Sequence, residues 1–335
     1  MAKIYHDEDA RLEAIAGQTI AVVGYGNQGR SQALNLRDSG LSLIVGNIRD
    51  YALEQAEQDR MEVVPIAEAC RRADIVMLLI PDEVMPEVYE REVAPNLRAG
   101  GCVSFASGYN VAFGLIRPDP ALDVVLIAPR MIGIGVRERF VSGEGFPSFV
   151  GVHQNATGRA AERMLAVARG VGSTRAGCIE MSMHDEASLD LFTEQGFGPA
   201  FGRVLSSAVE LLVEAGYPPE AVLLELYLSG EFAYSFEKMR EVGGLEQMKY
   251  HSQTSQYGSA TRSRHFMPLA EPIKQKMGEV LEQIRSGAFA EEWSRNQEQA
   301  AKLFERIREA RTHSDMNRWE ESARQGFRIG NAARR

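Results

Sequence analysis

The stretch LDLFTEQ, residues 189–195, sets two carboxylates four positions apart. On a helix Asp190 and Glu194 would share one face with Cβ atoms roughly 5–6 Å apart, where like charges repel. Such pairs are commonplace on solvated helices. Here Leu191, Phe197 and Phe201 belong to the same stripe, and an apolar stripe seeks a core or a partner. Carboxylates drawn into that setting need a cation, which makes the pair a candidate metal site.

A second chemical motif lies near the start. QTIAVVGYGNQGRSQALNLRDSG, from residue 18, reads as an apolar β-branched strand, a glycine turn and a helix. Gly24, Gly26 and Gly29 have the GxGxxG spacing of a dinucleotide site. The first permits a tight turn, the second lets backbone approach a pyrophosphate, and the third lets helix and strand pack closely. The helix N-terminus adds unpaired N–H groups, so Gly24, Tyr25, Gly26, Asn27, Gln28 and Gly29 are the expected cofactor-binding residues. After the next strand come Arg49 and Asp50. An arginine there suits the 2′-phosphate of NADP and an acid suits the ribose hydroxyl of NAD; Arg49 favours NADP, with NAD the alternative through Asp50.

The elements that must position these groups change character along the chain. Apolar runs at 41–45, 74–80, 102–105 and 123–129 alternate with helical stretches such as 67–73 and 87–97. That alternation predicts an N-terminal Rossmann domain with a doubly wound parallel sheet over residues 1–182. Long helical patterns then predict an all-helical C-terminal domain over 183–330, whose broad apolar faces imply a homodimer interface.

Composition narrows the function classes. The chain has 335 residues, 44% hydrophobic and 25% charged, which is ordinary for a globular protein of about two domains. A net charge of −9 disfavours nucleic acid, whose binding relies on lysine and arginine. No run is long enough to span a membrane, and the opening MAKIYHDEDARLEAI lacks the basic-then-apolar order of a signal peptide, so a cytoplasmic location is expected. Cys70, Cys102 and Cys178 are scattered and odd in number, which indicates core thiols. The basic stretch RIGNAARR at 328–335 reads as a disordered end and not as a binding site.

With these features in place, the sequence resembles the ketol-acid reductoisomerases of branched-chain amino acid synthesis, in their shorter bacterial form. The likeness is carried by VVGYGNQG, LLIPDEVMPEVYEREVAPNL, VGVHQNATGRA, STRAGCIE, LDLFTEQ, LVEAGYPPE, HSQTSQYG and EVLEQIRSGAFAEEW, in that order across nearly the whole chain. It implies a Rossmann domain, a helical domain entwined with its mate in a dimer, a nicotinamide cofactor and magnesium. In that family two Mg²⁺ ions polarise the oxygens of a 2-hydroxy-2-alkyl-3-keto acid while an alkyl group migrates, and a hydride then reduces the resulting 2-keto acid. The family's metal ligands fall on Asp190 and Glu194, with Glu225 arriving from the partner chain, and its motif serine falls on Ser252.

Several positions depart from the family pattern. Ser107, in FASGYN, stands where the family has histidine. Arg130 replaces a lysine, followed by Met131 and Ile132 in place of a glycine-lined segment. Ser229 stands where a second partner glutamate is expected, and Glu231 would point about 200° away on a continuous helix. Arginine cannot deprotonate and has a wide planar head, and Met131 and Ile132 are expected to reshape the cavity. The reading is an NAD(P)H-dependent reductase of a small keto or imine compound, its isomerase step altered or lost. Asp190, Glu194, Arg130, Ser107 and Ser252 would be its catalytic residues, and Asp190, Glu194 and Glu225 its metal residues. The alternatives are a working ketol-acid reductoisomerase and a cofactor-binding dimer without catalysis.

Overall fold

A computed structural model describes residues 2–330. Positions 331–335, the end of the basic stretch read above as disordered, lie outside them. The chain divides into two compact units, Met1–Asp190 and Leu191–Arg335.

Among the described residues the first unit is built on nine strands: β1 Ile4–Tyr5, β2 Thr19–Val23, β3 Ser42–Gly46, β4 Val63–Val64, β5 Ile75–Leu78, β6 Cys102–Phe105, β7 Asp123–Pro129, β8 Ser148–Gln154 and β9 Cys178–Glu180. Their order across the sheet is β1-β9-β8-β7-β6-β5-β2-β3-β4. From β4 through β7 every pairing is parallel. The doubly wound parallel sheet expected from sequence is thus present, and at one side it is extended by antiparallel pairings, β8 to β7 and β1 to β9. The cause is local. Helix α6, defined below, is closed by Gly143 in the left-handed region (φ 85°), and the chain re-enters at Ser148 beside Pro129, the end it had just left.

Helices α1 Asn27–Asp38, α2 Tyr51–Gln58, α3 Ile66–Arg72, α4 Met85–Val88, α5 Tyr109–Ala112, α6 Gly133–Ser142 and α7 Ala160–Val171 flank the sheet. Strand residues alternate between two buried layers, as period-2 geometry requires. Ile20, Val22, Ile75 and Met77 face a core containing Leu36 and Met164 from α1 and α7. Ala21, Val23, Val76 and Leu78 face a second core with Ala69 and Met85 from α3 and α4. Covering both faces explains why these strands read as continuous apolar runs. All three cysteines are buried free thiols, as expected of core residues.

Helix α8, Met183–Phe192, carries the chain into the second unit and continues as a π-helical turn, Thr193–Phe197. Helices α9 Gly198–Glu214, α10 Pro219–Leu223, α11 Glu231–Val242, α12 Gly244–Gln247, α13 Gln253–Arg262, α14 Ala270–Arg285, α15 Ala288–Thr312 and α16 Asp315–Gly326 follow. Val209, Val222, Leu223 and Ala323 form a small core in this unit. Among the described residues no helix is long and apolar enough to cross a membrane.

Candidate functional site

The glycine turn joins β2 to α1 at the carboxyl end of the sheet, where open α/β sheets bind ligands. Gly24 takes φ +93°, and a Cβ there would lie 2.6 Å from the Ile80 side chain and 2.7 Å from the Leu79 carbonyl oxygen. A Cβ on Gly29 would lie 2.0 Å from the Gly24 carbonyl oxygen. By contrast nothing lies within 4 Å of a Cβ on Gly26, the N-cap of α1. This combination of tight packing beneath and open space above fits a pyrophosphate over the helix N-terminus. Beside it is a cleft of about 330 Å³ lined in part by Gly26, Asn27, Tyr51, Glu54 and Ile134.

The other residues of the turn divide by role. The Tyr25 side chain is buried and its hydroxyl donates to Asp59 Oδ2 at 3.0 Å, so it braces the turn from below. Gln28 donates to the Met131 carbonyl at 2.9 Å, tying α1 to the loop after β7. In the loop after β3, Asp50 caps α2: its Oδ1 accepts from the Ala52 and Leu53 amides at 3.0 and 3.2 Å and from Asn47 Nδ2 at 2.8 Å. That carboxylate is already engaged, while Arg49 is exposed.

At the same sheet end, Arg130 follows the last residue of β7. Its Nη1 donates to Asp190 Oδ1 at 2.6 Å, Nη2 to Glu186 Oε1 at 2.8 Å and Nε to the Ala128 carbonyl at 3.3 Å, with the guanidinium 4.7 Å from the Phe149 ring centre. Glu186, fully buried on α8, also accepts from the Gly108 amide at 2.7 Å through Oε2. A Cβ on Gly108 would stand 2.1 Å from the Met183 carbonyl oxygen, so only glycine lets this loop lie against α8. Ser107 precedes it, its Oγ accepting from the Tyr109 amide at 3.2 Å. Two loops at the sheet end thus meet on one carboxylate. Burial pushes Glu186 up to about 7, against the opposing pull of the Gly108 amide and Arg130.

Sequence reading missed Glu186. The signal was present, because Glu186, Asp190 and Glu194 repeat every four residues; the stripe simply begins one turn earlier.

Other expectations are corrected. Met131 packs against the core, and Ile132, 76% exposed, immediately precedes α6. The continuous helix assumed between Ser229 and Glu231 does not exist: Gly230 takes φ 81° and α11 starts afresh, with Ser229 Oγ accepting from the Glu231 amide at 3.3 Å. In the second unit, Glu194 is exposed in the π-helical turn after α8, and Glu225 is exposed in another, Leu224–Leu228. Ser252 caps α13, accepting from the Ser255 amide at 3.2 Å.

The nicotinamide cofactor and magnesium implied by the resemblance fare differently. The glycine cradle fits a dinucleotide. At Asp190, Oδ1 already accepts a charge-assisted bond from Arg130, so a magnesium ion on that oxygen would have to compete with the guanidinium. Among the described residues, no three His, Cys, Asp or Glu groups are gathered to hold a metal ion.

Comparison with known proteins matches both halves of the chain. Residues 14–177 fit the acetohydroxy acid isomeroreductase NADPH-binding domain, and residues 183–328 the ketol-acid reductoisomerase C-terminal domain. The chain is 44% identical over 295 residues to the ketol-acid reductoisomerase (NADP(+)) of Pyrobaculum arsenaticum, covering 88% of this chain and 89% of that one. It is 42% identical over 313 residues to the Methanopyrus kandleri protein of the same name, covering 92% and 93%. A solved NADH-preferring ketol-acid reductoisomerase from an uncultured archaeon superposes with a TM-score of 0.89 at 32% identity, covering 96% of this chain and 98% of that one. Glycine cradle, sheet-end carboxylates and both matched halves agree: this chain belongs to the ketol-acid reductoisomerase family of oxidoreductases.

Proposed function

We propose that this protein uses NADPH to reduce a small 2-keto acid as a ketol-acid reductoisomerase, converting a 2-hydroxy-2-alkyl-3-keto acid to a 2,3-dihydroxy acid. The observation that carries this reading is the match of both family domains across the chain. The comparisons favour this complete reaction over the reductase without alkyl migration that the sequence analysis put first. NADP is supported by the NADP(+) relatives and by the engagement of Asp50 as a helix cap, which leaves Arg49 to meet a 2′-phosphate.

A nicotinamide bound there would supply a hydride. The chain's own residues bind and orient. The α1 N-terminus holds the pyrophosphate, and the Gln28–Met131 bond couples that turn to Arg130. Of the five guanidinium N–H groups, three serve Asp190, Glu186 and Ala128. One N–H on each Nη is left to hold a substrate carboxylate or carbonyl oxygen, and a positioned cation stabilises the alkoxide that hydride transfer creates.

One observation favours the second reading, reduction of a keto or imine compound without migration. Arg130 occupies Asp190, and Ser229 offers no carboxylate at the position where the resemblance calls for one. Incubation with NADPH, Mg²⁺ and 2-acetolactate separates the two. The complete reaction yields the rearranged, reduced dihydroxy acid; absence of that product with retained reduction of a 2-keto acid would replace it with the second reading.

The assembly we propose is a cytoplasmic homodimer. Phe232, Leu245 and Phe266 are 45%, 82% and 66% exposed in the second unit, an apolar surface of the kind that partners cover. Three buried free thiols suit a reducing compartment.

A further inference from the structure

The apolar setting expected of Asp190 is not realised, its side chain being 43% exposed, yet a cation from within the chain lies against it. We propose that Arg130 is the resident cation of Asp190, and that a divalent metal ion binds that carboxylate only in competition with it. This goes beyond the proposed function and holds under either reading of the reaction.

The geometry sets the two occupants against each other at Oδ1. A magnesium ion on Asp190 Oδ1 would sit about 2.1 Å from that oxygen, which Arg130 Nη1 already approaches to 2.6 Å. Two cations on one carboxylate oxygen would repel at close range. The guanidinium is also fixed independently of Asp190, by Glu186, by the Ala128 carbonyl and by stacking on Phe149. Its fork spans Glu186 and Asp190 with separate nitrogens, which a single lysine ammonium does with less directional fixation. Glu186 is fully buried, so withdrawing Arg130 would leave that carboxylate without its ion pair. The metal must therefore compete with an anchored rival.

The test is Mn²⁺ binding to the full-length, chelator-treated protein, read as loss of the free-ion resonance signal, with no turnover involved. The parent should bind weakly. Arg130→Gln should bind about tenfold more tightly or better, and adding Asp190→Asn should return the affinity to the parent's. Arg130→Lys keeps a positive charge beside Glu186 and should also exceed the parent, which guards against a folding defect in the glutamine variant. The parent's thermal midpoint should not move with millimolar Mg²⁺. Equal Mn²⁺ affinity in the parent and both single variants, or a Mg²⁺-induced rise in the parent's midpoint that Asp190→Asn removes, would overturn the proposal. Because only binding is read, this result is independent of whether 2-acetolactate is turned over.

Discussion

Glu186→Gln should flatten the protein's pH-stability profile. Glu186 is wholly enclosed, holding the Gly108 amide with one oxygen and Arg130 with the other. Burial, the largest influence, lifts its carboxyl from about 4.5 to about 7. Between those values the folded chain keeps a proton that the unfolded chain has released, so unfolding becomes easier as pH rises. The contribution is fully present below about pH 4.5 and is lost as pH passes about 7. Its size is about 3 kcal/mol, at 1.36 kcal/mol per pH unit of displacement. Glutamine keeps the shape and one acceptor but cannot ionise. Urea unfolding of parent and variant from about pH 5 to 8 should show the parent losing about 3 kcal/mol more than the variant. Other titrating groups cancel in the difference. Parallel profiles would show that Glu186 does not hold its proton above the ordinary carboxylate range.

Two further substitutions probe the cofactor end. Arg49→Ala should erase most of a preference for NADPH over NADH in equilibrium binding; equal affinities in the parent would point to Asp50 instead. Gly29→Ala forces a Cβ to 2.0 Å from the Gly24 carbonyl, a backbone clash that should cost about 1–3 kcal/mol of stability and weaken NADPH binding at least several-fold. Unchanged binding and stability would contradict the close packing.

The fold was legible where local patterns dictate it. β-branched runs buried on both faces, the GxGxxG turn and the alternation of strands with helices lead directly to the parallel half of the sheet. The antiparallel join of β8 was not legible, since it depends on where a ten-residue helix and a left-handed glycine return the chain. At the site, Arg130 and Asp190 were both recognisable, but their mutual bond was not, because they are sixty positions apart and meet only through the packing of α8 on the sheet end. The direction of Glu231 relative to Ser229 was not legible either, because Gly230 takes a positive φ that ends one helix before α11 begins. Glu186 was readable from its four-residue spacing alone; its burial and its role in joining two loops were not.

In the reaction we propose, a hydride passes from a nicotinamide held at the glycine turn to a keto carbon at the Arg130–Glu186 end of the sheet. The most direct test supplies the migrated intermediate class itself, 3-hydroxy-3-methyl-2-ketobutyrate, with NADPH deuterated at C4 of the nicotinamide. NADPH should be oxidised with deuterium appearing on the new carbinol carbon, and Gly29→Ala should show a large loss of rate. Failure of the folded, cofactor-binding protein to reduce this keto acid with either NADPH or NADH would contradict the proposed reaction.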